Sequence, residues 1–364
     1  MKSLIFLMPV LYLMGNGYLF YKVWPLVHTL PLCGKIACSI LYWLMPFVLI
    51  VTMALRSMPM PYWLMSTLHH VGSMWMVFLL YMVLHLILFD ILRLFISLPK
   101  PSVLYAFIGT MVLFLYGYIN YRTPHIEKIS IALDEKAPLN QPLRIVAISD
   151  VHLGYGTGVS QLRTYVRQIN EQHPDIILIM GDLIDNSTVP LYQAPFKEVL
   201  STLCAPMGIY MVPGNHEYIS GIGECRRFLG NTPIHLLCDS VATLPNGVQI
   251  VGRDDRSNRQ RKSLEELLAQ THDTLPVILL DHQPYGLAHA DSLRVDLQLS
   301  GHTHHGQIWP LSLLVENMYE QSHGYRKWTH SHIWVSSGLS LWGPPLRIGT
   351  DSDFAVIDLL LSTK

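Results

Sequence analysis

The sequence predicts an α/β domain preceded by a helical membrane segment. Three observations predict it. Four long apolar runs fill the first third of the chain; short β-branched runs alternate with helix-like stretches after about Pro142; and five of those runs end in aspartate, asparagine or histidine.

The apolar runs are Leu4–Phe20, Ile36–Leu55, Val71–Ile96 and Val103–Ile119. Each is close to the ~20 residues that cross a ~30 Å hydrocarbon core as a helix. The separators "YKVWPLVHTLPLCGK", "RSMPMPYW" and "SLPKPS" carry the breakers and charges, with tyrosine and tryptophan near the ends. The first run follows "MK", yet no small-residue cleavage site follows it, so it reads as a retained anchor rather than a signal peptide. Four spans put both chain ends on one side. Flanking lysines and arginines are nearly balanced; the amino terminus beside Lys2 tips the start, and with it the C-terminal part, to the cytoplasmic face. Asp90 and Arg93, three apart, read as an interfacial ion pair. His69 and His70 read as a headgroup-level loop. One histidine, His85, and one aspartate are too little polar content for a channel or pump.

Half of the 364 residues are hydrophobic and 14% are charged. The imbalance is local. Six of the 25 basic and one of the 26 acidic residues precede Arg122, which leaves 19 basic and 25 acidic residues, about −6, from Arg122 onward. The expected division is therefore a membrane domain over 1–121, a linker and first strand over 122–142, and a catalytic domain over 143–364. No basic stripe with interleaved aromatics points to nucleic acid. Five scattered cysteines lack zinc-ribbon spacing and read as reduced thiols.

In the C-terminal part, "LRIVAISD" ends at Asp150, "DIILIMGD" at Asp182, "GIYMVPGNHE" at Asn215 and His216, "VILLDHQP" at His282, and "VDLQLSGHTHH" at His302 and His304. Continuous apolar runs of this length read as buried strands. "VSQLRTYVRQINEQ" and "KSLEELLAQT" between them read as helices, which gives sheets covered by helices. Sites in open α/β sheets form just past strand carboxyl ends. Carboxylates, an amide oxygen and imidazoles without thiolate suit Mn, Fe or Zn. Seven such groups exceed the needs of one tetrahedral ion and fit two if a carboxylate bridges. Paired metals ~3.5–4 Å apart clamp both oxygens of an in-line phosphoryl displacement. In D-x-H and H-x-H, residues two apart on an extended segment would point the same way. Gly181, Gly214 and Gly301 would give the backbone room beside a crowded ion.

The blocks "SDVHLG" (149–154), "GDLIDN" (181–186), "GNHE" (214–217), "LDHQP" (280–284) and "GHTHHGQ" (301–307) resemble the calcineurin-like metallophosphoesterase superfamily over Leu143 to Leu360. "GHTHHGQIWP" with "GLSLWGPPLRIG" resembles its membrane-associated bacterial branch, which includes UDP-2,3-diacylglucosamine pyrophosphatases and related lipid-linked phosphoesterases. The resemblance implies a four-layer αββα sandwich. It implies that Asp150, His152 and His304 hold one divalent ion, that Asn215, His282 and His302 hold the other, and that Asp182 bridges them. It also implies that His216 protonates or stabilises the leaving oxygen, and that a hydroxide between the ions attacks. His305 departs from the glycine common in the branch, and "DSDFAVIDL" lacks the usual Arg-Pro-Glu before the last strand.

Other polar residues read more plainly. Asp185 reads as an N-cap or loop residue ahead of a supporting role to a ligand. For Asp254 and Asp255, a solvated turn with Arg253 and Arg256 and a place at the site entrance weigh equally. Arg347 reads as a surface arginine ahead of a phosphate contact. His323, His330 and His332 read as exposed or structural, and Gln307 and Trp309 as packing residues. The leading expectation is a membrane-anchored dinuclear phosphohydrolase acting on a lipid-linked substrate. The alternative is a membrane sensing module with a phosphodiesterase output acting on a soluble substrate; a non-catalytic scaffold is the third reading.

Overall fold

The computed structural model describes residues 2–97, 102–133 and 142–361. The chain forms two compact units, one of residues 1–119 with 343–345 and one of the remainder. Residues 134–141, within the expected linker, lie outside the described residues.

Among the described residues the first unit is built on four helices: α1 (Lys2–Val27), α2 (Leu32–Leu55), α3 (Tyr62–Leu92) and α4 (Ser102–Arg122). Of these, α2, α3 and α4 are long and apolar enough to cross a membrane by length and composition. The first helix, whose opening side chains lie outside the described residues, is not counted with them. The third helix starts nine residues before the expected Val71, because Pro61 stands at its N-cap and the polar stretch after it continues the helical hydrogen bonding. His69 and His70 therefore lie on the helix rather than in a loop. His69 is buried, and His70 Nδ1 lies 2.7 Å from the Ser66 carbonyl one turn back.

Leu19, Leu79, Met82, Leu86 and Ala106 form the apolar centre of this unit. A buried polar node sits beside them. Asn16 is fully buried; its Nδ2 donates to the Tyr12 carbonyl at 2.8 Å, its Oδ1 accepts from Trp75 Nε1 at 3.1 Å, and its own carbonyl accepts from Tyr42 at 2.7 Å. Asp90 is held mainly by Lys22 of α1 at 2.6 Å and by the Tyr18 hydroxyl at 2.7 Å. The expected partner Arg93 is more distant, at 3.8 Å, because α1 brings its amine closer than the i,i+3 spacing does.

Among the described residues the second unit holds twelve strands: β1 (His125–Leu133), β2 (Leu143–Ile148), β3 (Ile176–Ile179), β4 (Ile209–Met211), β5 (Ile234–Leu236), β6 (Ser240–Thr243), β7 (Gln249–Gly252), β8 (Val277–Leu280), β9 (Leu297–Ser300), β10 (Gly324–Lys327), β11 (His332–Val335) and β12 (Asp353–Leu361). They make two six-stranded mixed sheets, β1-β12-β2-β3-β4-β5 and β10-β11-β9-β8-β7-β6. The segment β2 to β5 is parallel, as are β7, β8, β9 and β11. All five runs expected to be strands are strands.

Alternation along each strand explains the layers. Leu143, Ile145 and Ala147 of β2, Ile176 and Leu178 of β3, Ile278 and Leu280 of β8, and Leu297 and Leu299 of β9 share one core with residues of β1 and β12. The intervening residues face helices. Val277 and Leu279 pack with Leu264, Leu267 and Ala290 from the helices Leu264–Leu268 and Leu287–Ser292. Continuous apolar strands, buried on both faces, are what such a helix-covered sandwich requires. The helix Val159–Asn170, from the first helix-like stretch, buries Leu162, Tyr165, Val166 and Ile169 at i, i+3, i+4 and i+7, one apolar stripe. The second stretch gives the short helix Leu264–Leu268, started by a Ser263–Glu266 capping box.

Candidate metal centre

Central parallel strands of both sheets release their chains at the same edge. Past β2 come Asp150 and His152, past β3 Asp182, past β4 Asn215 and His216, past β8 His282, and past β9 His302 and His304. Potential ligand atoms fall into three sets, each within 4.8 Å: Asp150, His152 and His304; His152, Asp182 and His216; and Asp182, His282 and His302. Asp182 belongs to two of them. His152 Nε2 lies 3.1 Å from His304 Nε2, and His304 Nε2 lies 3.4 Å from Asp150 Oδ1. On the other side, His282 Nε2 is 3.2 Å from Asp182 Oδ2 and 3.2 Å from Asn215 Oδ1.

The backbone reaches this arrangement by left-handed turns. Asp150, His152, Asp182, His302, His304 and His305 all have φ between 48° and 72°. The expected extended alternation in D-x-H and H-x-H is therefore replaced by consecutive turns, and His302 and His304 face different sets. Such a conformation costs a non-glycine residue of order 1–3 kcal/mol, so the surrounding packing must hold each one. Gly181 (φ +83°) is the one of the three expected glycines that itself requires positive φ. Gly214 and Gly301 serve close approach instead: a Cβ at Gly214 would collide with Asp182 Oδ1, and one at Gly301 with Ser149 Oγ and Asp150 Oδ2.

Hydrogen bonds orient the acidic groups. The Asp150 carboxylate accepts from the His302 amide at 2.9 Å and from the Ser149 hydroxyl. Asp182 Oδ1 accepts from the His216 amide at 2.8 Å. Each keeps an oxygen toward the imidazoles. Asp150 Oδ1 is buried without a hydrogen-bond partner, an expensive state for a carboxylate oxygen unless a cation completes it. His282 Nδ1 meets the Met180 carbonyl at 2.6 Å, which directs Nε2 to the cluster.

The electrostatics follow from crowding. Burial opposes ionisation of Asp150, but His304, His152 and His282 pull its carboxyl well below the usual range. Burial also opposes protonation of His152, yet Asp150, Asp185 and Asp182 raise it to about 10. Burial pushes His304 and His302 down, His302 to about 4 with help from His282; the Asp150 charge opposes the fall at His304 without reversing it. Buried oxygens and imidazole nitrogens packed this closely fit divalent cations.

Asp185 departs from its N-cap or loop reading. Its Oδ1 lies 3.4 Å from His152 Nδ1 and 3.2 Å from His216 Nδ1, so it aligns two imidazoles from the side away from the cluster. Glu217 was missed. Fully buried, it accepts from the amides of Gly214 at 2.7 Å, Ile184 at 2.9 Å and Asp182 at 3.0 Å, tying together the loops after β3 and β4. Burial, with the Asp182 charge, pushes its carboxyl up to about 8. Its place beside Asn215 and His216 in "GNHE" was the available signal.

Arg347 is no surface residue: it is fully buried and donates to the carbonyls of His304 at 2.7 Å, Ser340 at 2.8 Å and Gly338 at 3.1 Å. Asp254 and Asp255 are buried too, accepting from Tyr218 and Gln283, each at 2.8 Å. His305 meets Glu316 at 3.0 Å and stacks on His323 at 3.5 Å. His332 is buried against the Tyr325 hydroxyl at 2.6 Å, and the His330 amide donates to Asp291. Trp309 is half exposed.

A helix-covered double sheet with carboxylate, amide and imidazole groups gathered at one edge defines a class of metal-dependent hydrolase. The calcineurin-like phosphoesterase family model matches residues 143–306. A metallophosphoesterase of Helicobacter pylori is 35% identical over 251 residues, 67% of this chain and 66% of its own. One of Campylobacter jejuni is 32% identical, covering 68% of this chain and 67% of its own. The transmembrane protein with metallophosphoesterase domain of Danio rerio is 32% identical, covering 70% and 62%. The chain thus spans about two thirds of the length of these relatives. Among solved structures, calcineurin-like phosphoesterase YfkN from Bacillus subtilis aligns with 54% of this chain and 82% of its own, at 16% identity and a TM-score of 0.37. The chain belongs to the calcineurin-like metallophosphoesterase family.

Proposed function

We propose that this protein is a membrane-anchored phosphohydrolase that cleaves a phosphoester or pyrophosphate bond in a lipid-linked substrate, using two divalent cations. The observation that carries the reading is the convergence of side chains from five strand ends on Asp182, with imidazoles on both sides of its carboxylate. Asp150, His152 and His304 would hold one cation, Asn215, His282 and His302 the other, and Asp182 both. Bound there, the cations would supply Lewis acidity and lower the pKa of water toward about 7.

The chain's own groups do the rest. Asp185 fixes His216 through Nδ1, which leaves the opposite ring nitrogen to give a proton to the leaving oxygen. Glu217 keeps the loops of Asp182 and Asn215 in register. Residues 1–121 serve as the membrane domain, 122–142 as the link and 143–364 as the phosphoesterase domain. The apolar helices, and the name of the Danio rerio relative, support a substrate at a bilayer surface. The "GHTHHGQIWP" stretch favours a pyrophosphate-linked lipid of the UDP-2,3-diacylglucosamine type. The charge beside the N-terminus favours a cytoplasmic phosphoesterase domain at a bacterial inner membrane.

The test uses purified full-length protein loaded with manganese, iron or zinc in turn. The substrates are p-nitrophenyl phosphate, bis-p-nitrophenyl phosphate and a UDP-linked lipid. Turnover is expected only with metal, at about two ions per chain, and fastest on the lipid. His216→Ala should lower kcat by about 10²-fold at unchanged metal content. A single ion per active chain, or no turnover with any metal, would overturn the proposal.

A further inference from the structure

The phosphoesterase unit holds a second concentration of charge, outside the histidine cluster. The loop after β7 reads "RDDRSNRQRK". Four of its arginines, Arg253, Arg256, Arg259 and Arg261, line a cavity of about 430 Å³ in which Asp281 is the one lining carboxylate. Asp281 is buried and shared: its two oxygens lie 3.1 Å from Arg253 and 3.3 Å from Arg261. It fixes two guanidiniums at the wall but offsets a single charge. Arg256 lies over the Tyr285 ring at 4.6 Å. Arg259 is exposed and has no hydrogen-bond or ion-pair partner among the described residues. Gln298 lines the same cavity; its side chain is 1% exposed, and its Oε1 has no hydrogen-bond partner.

An arginine-rich loop is ordinarily a solvated one. This one borders a cavity: its own Asp254 and Asp255 accept from Tyr218 and Gln283, and the four arginines that line the cavity face one lining carboxylate. Gln298 Oε1 can only accept, so the charge of an anion in this cavity would be met by the guanidiniums and not by this amide. Guanidiniums recognise phosphate through paired N–H donors. We infer that this pocket is a second anion site, one that takes a phosphate or phosphodiester group beside the histidine cluster.

The position ties the pocket to the cluster. Asp281 and His282 follow β8 in succession; the first faces the arginines and the second faces Asp182 and Asn215. Tyr285 at the pocket rim packs against Tyr319 with tilted rings 4.9 Å apart, and the Tyr319 ring lies 6.4 Å from that of His302. A molecule with two anionic groups could place one at each site. That use by a substrate rests on the proposed phosphohydrolase activity; anion binding itself does not.

The probe is inorganic phosphate, titrated calorimetrically into full-length, chelator-stripped protein. The comparison is with the double variant Arg256→Ala, Arg259→Ala, both exposed side chains, and with the matching double lysine variant. Loss of charge-assisted bonds should weaken phosphate binding by about tenfold or more. The lysine variant should recover part of the affinity, and added salt should weaken the wild type more than the alanine variant. Dihexanoyl phosphatidic acid distinguishes the source: competition with phosphate assigns the pocket to a lipid headgroup, and absence of competition assigns it to a free anion. Equal phosphate affinity in wild type and alanine variant overturns the inference. So does a fall in kcat on bis-p-nitrophenyl phosphate, which carries one anionic group. Phosphate binding that persists in a wild type inert toward bis-p-nitrophenyl phosphate would refute the activity and leave the anion site standing.

Discussion

Buried polar groups are handled in opposite ways in the two units. Among the helices, buried Asn16 engages each of its polar side-chain atoms and its carbonyl with a separate partner, and the partly exposed Asp90 meets a lysine and a hydroxyl. Nothing in that node is strained or crowded. At the edge of the sheets, three carboxylates and five imidazoles share a small volume, Asp150 Oδ1 lacks a hydrogen-bond donor, and Asp150, His152, Asp182, His302 and His304 occupy left-handed backbone. The first pattern is what polar groups do when they only need to be tolerated. The second is costly as it stands and makes sense when a ligand is part of the balance.

The comparison can be broken by substitution, and the largest effect is expected at the shared carboxylate. Asp182→Asn should lower kcat/KM on a phosphodiester more than about 100-fold, beyond the 10–100-fold typical of an outer partner, with a matching loss of bound metal by elemental analysis. Unchanged metal content and activity would remove the distinction between the units. Asp185→Asn should cost about 10–100-fold in activity with the metal retained, because it disturbs the alignment of His152 and His216. If metal is lost as well, Asp185 belongs with the ligands.

In the helical unit the effects should fall on stability. Asn16→Leu leaves Trp75 Nε1 and the Tyr12 carbonyl without their partner and should cost about 1–3 kcal/mol, read as a lower thermal midpoint in detergent, with kcat on a soluble diester unchanged. Lys22→Met should be the mildest. Its ion pair is partly exposed, with Asp90 at 38%, so the loss is expected within about 1 kcal/mol. A large loss there would mean that this pair organises the helices and is more than an interfacial contact.

Much of the molecule is legible in its amino-acid sequence. Strands β2, β3, β4, β8 and β9 announce themselves as apolar runs that end in ligand-type residues, because a strand buried on both faces leaves polar side chains nowhere to go except past its end. Helical spans are legible for a related reason: a long apolar run has few other stable environments. Asp185, Glu217, Asp254, Asp255 and Arg347 were not legible in this way. They lie in or beside connecting loops, where no periodicity marks burial, and a charged residue in a loop reads by default as solvated.

Hydrophobic periodicity and strand termination act locally along the chain, so the elements, their order and the residue types brought to one edge of the sheets are written in the residues themselves. Which imidazole faces which carboxylate, that left-handed turns rather than extended alternation aim them, and that buried Asp185, Glu217 and Arg347 hold them in place emerge with the folded arrangement. Those outcomes depend on distances between segments far apart in the chain, and burial and electrostatic coupling are set by those distances rather than by spacing in sequence.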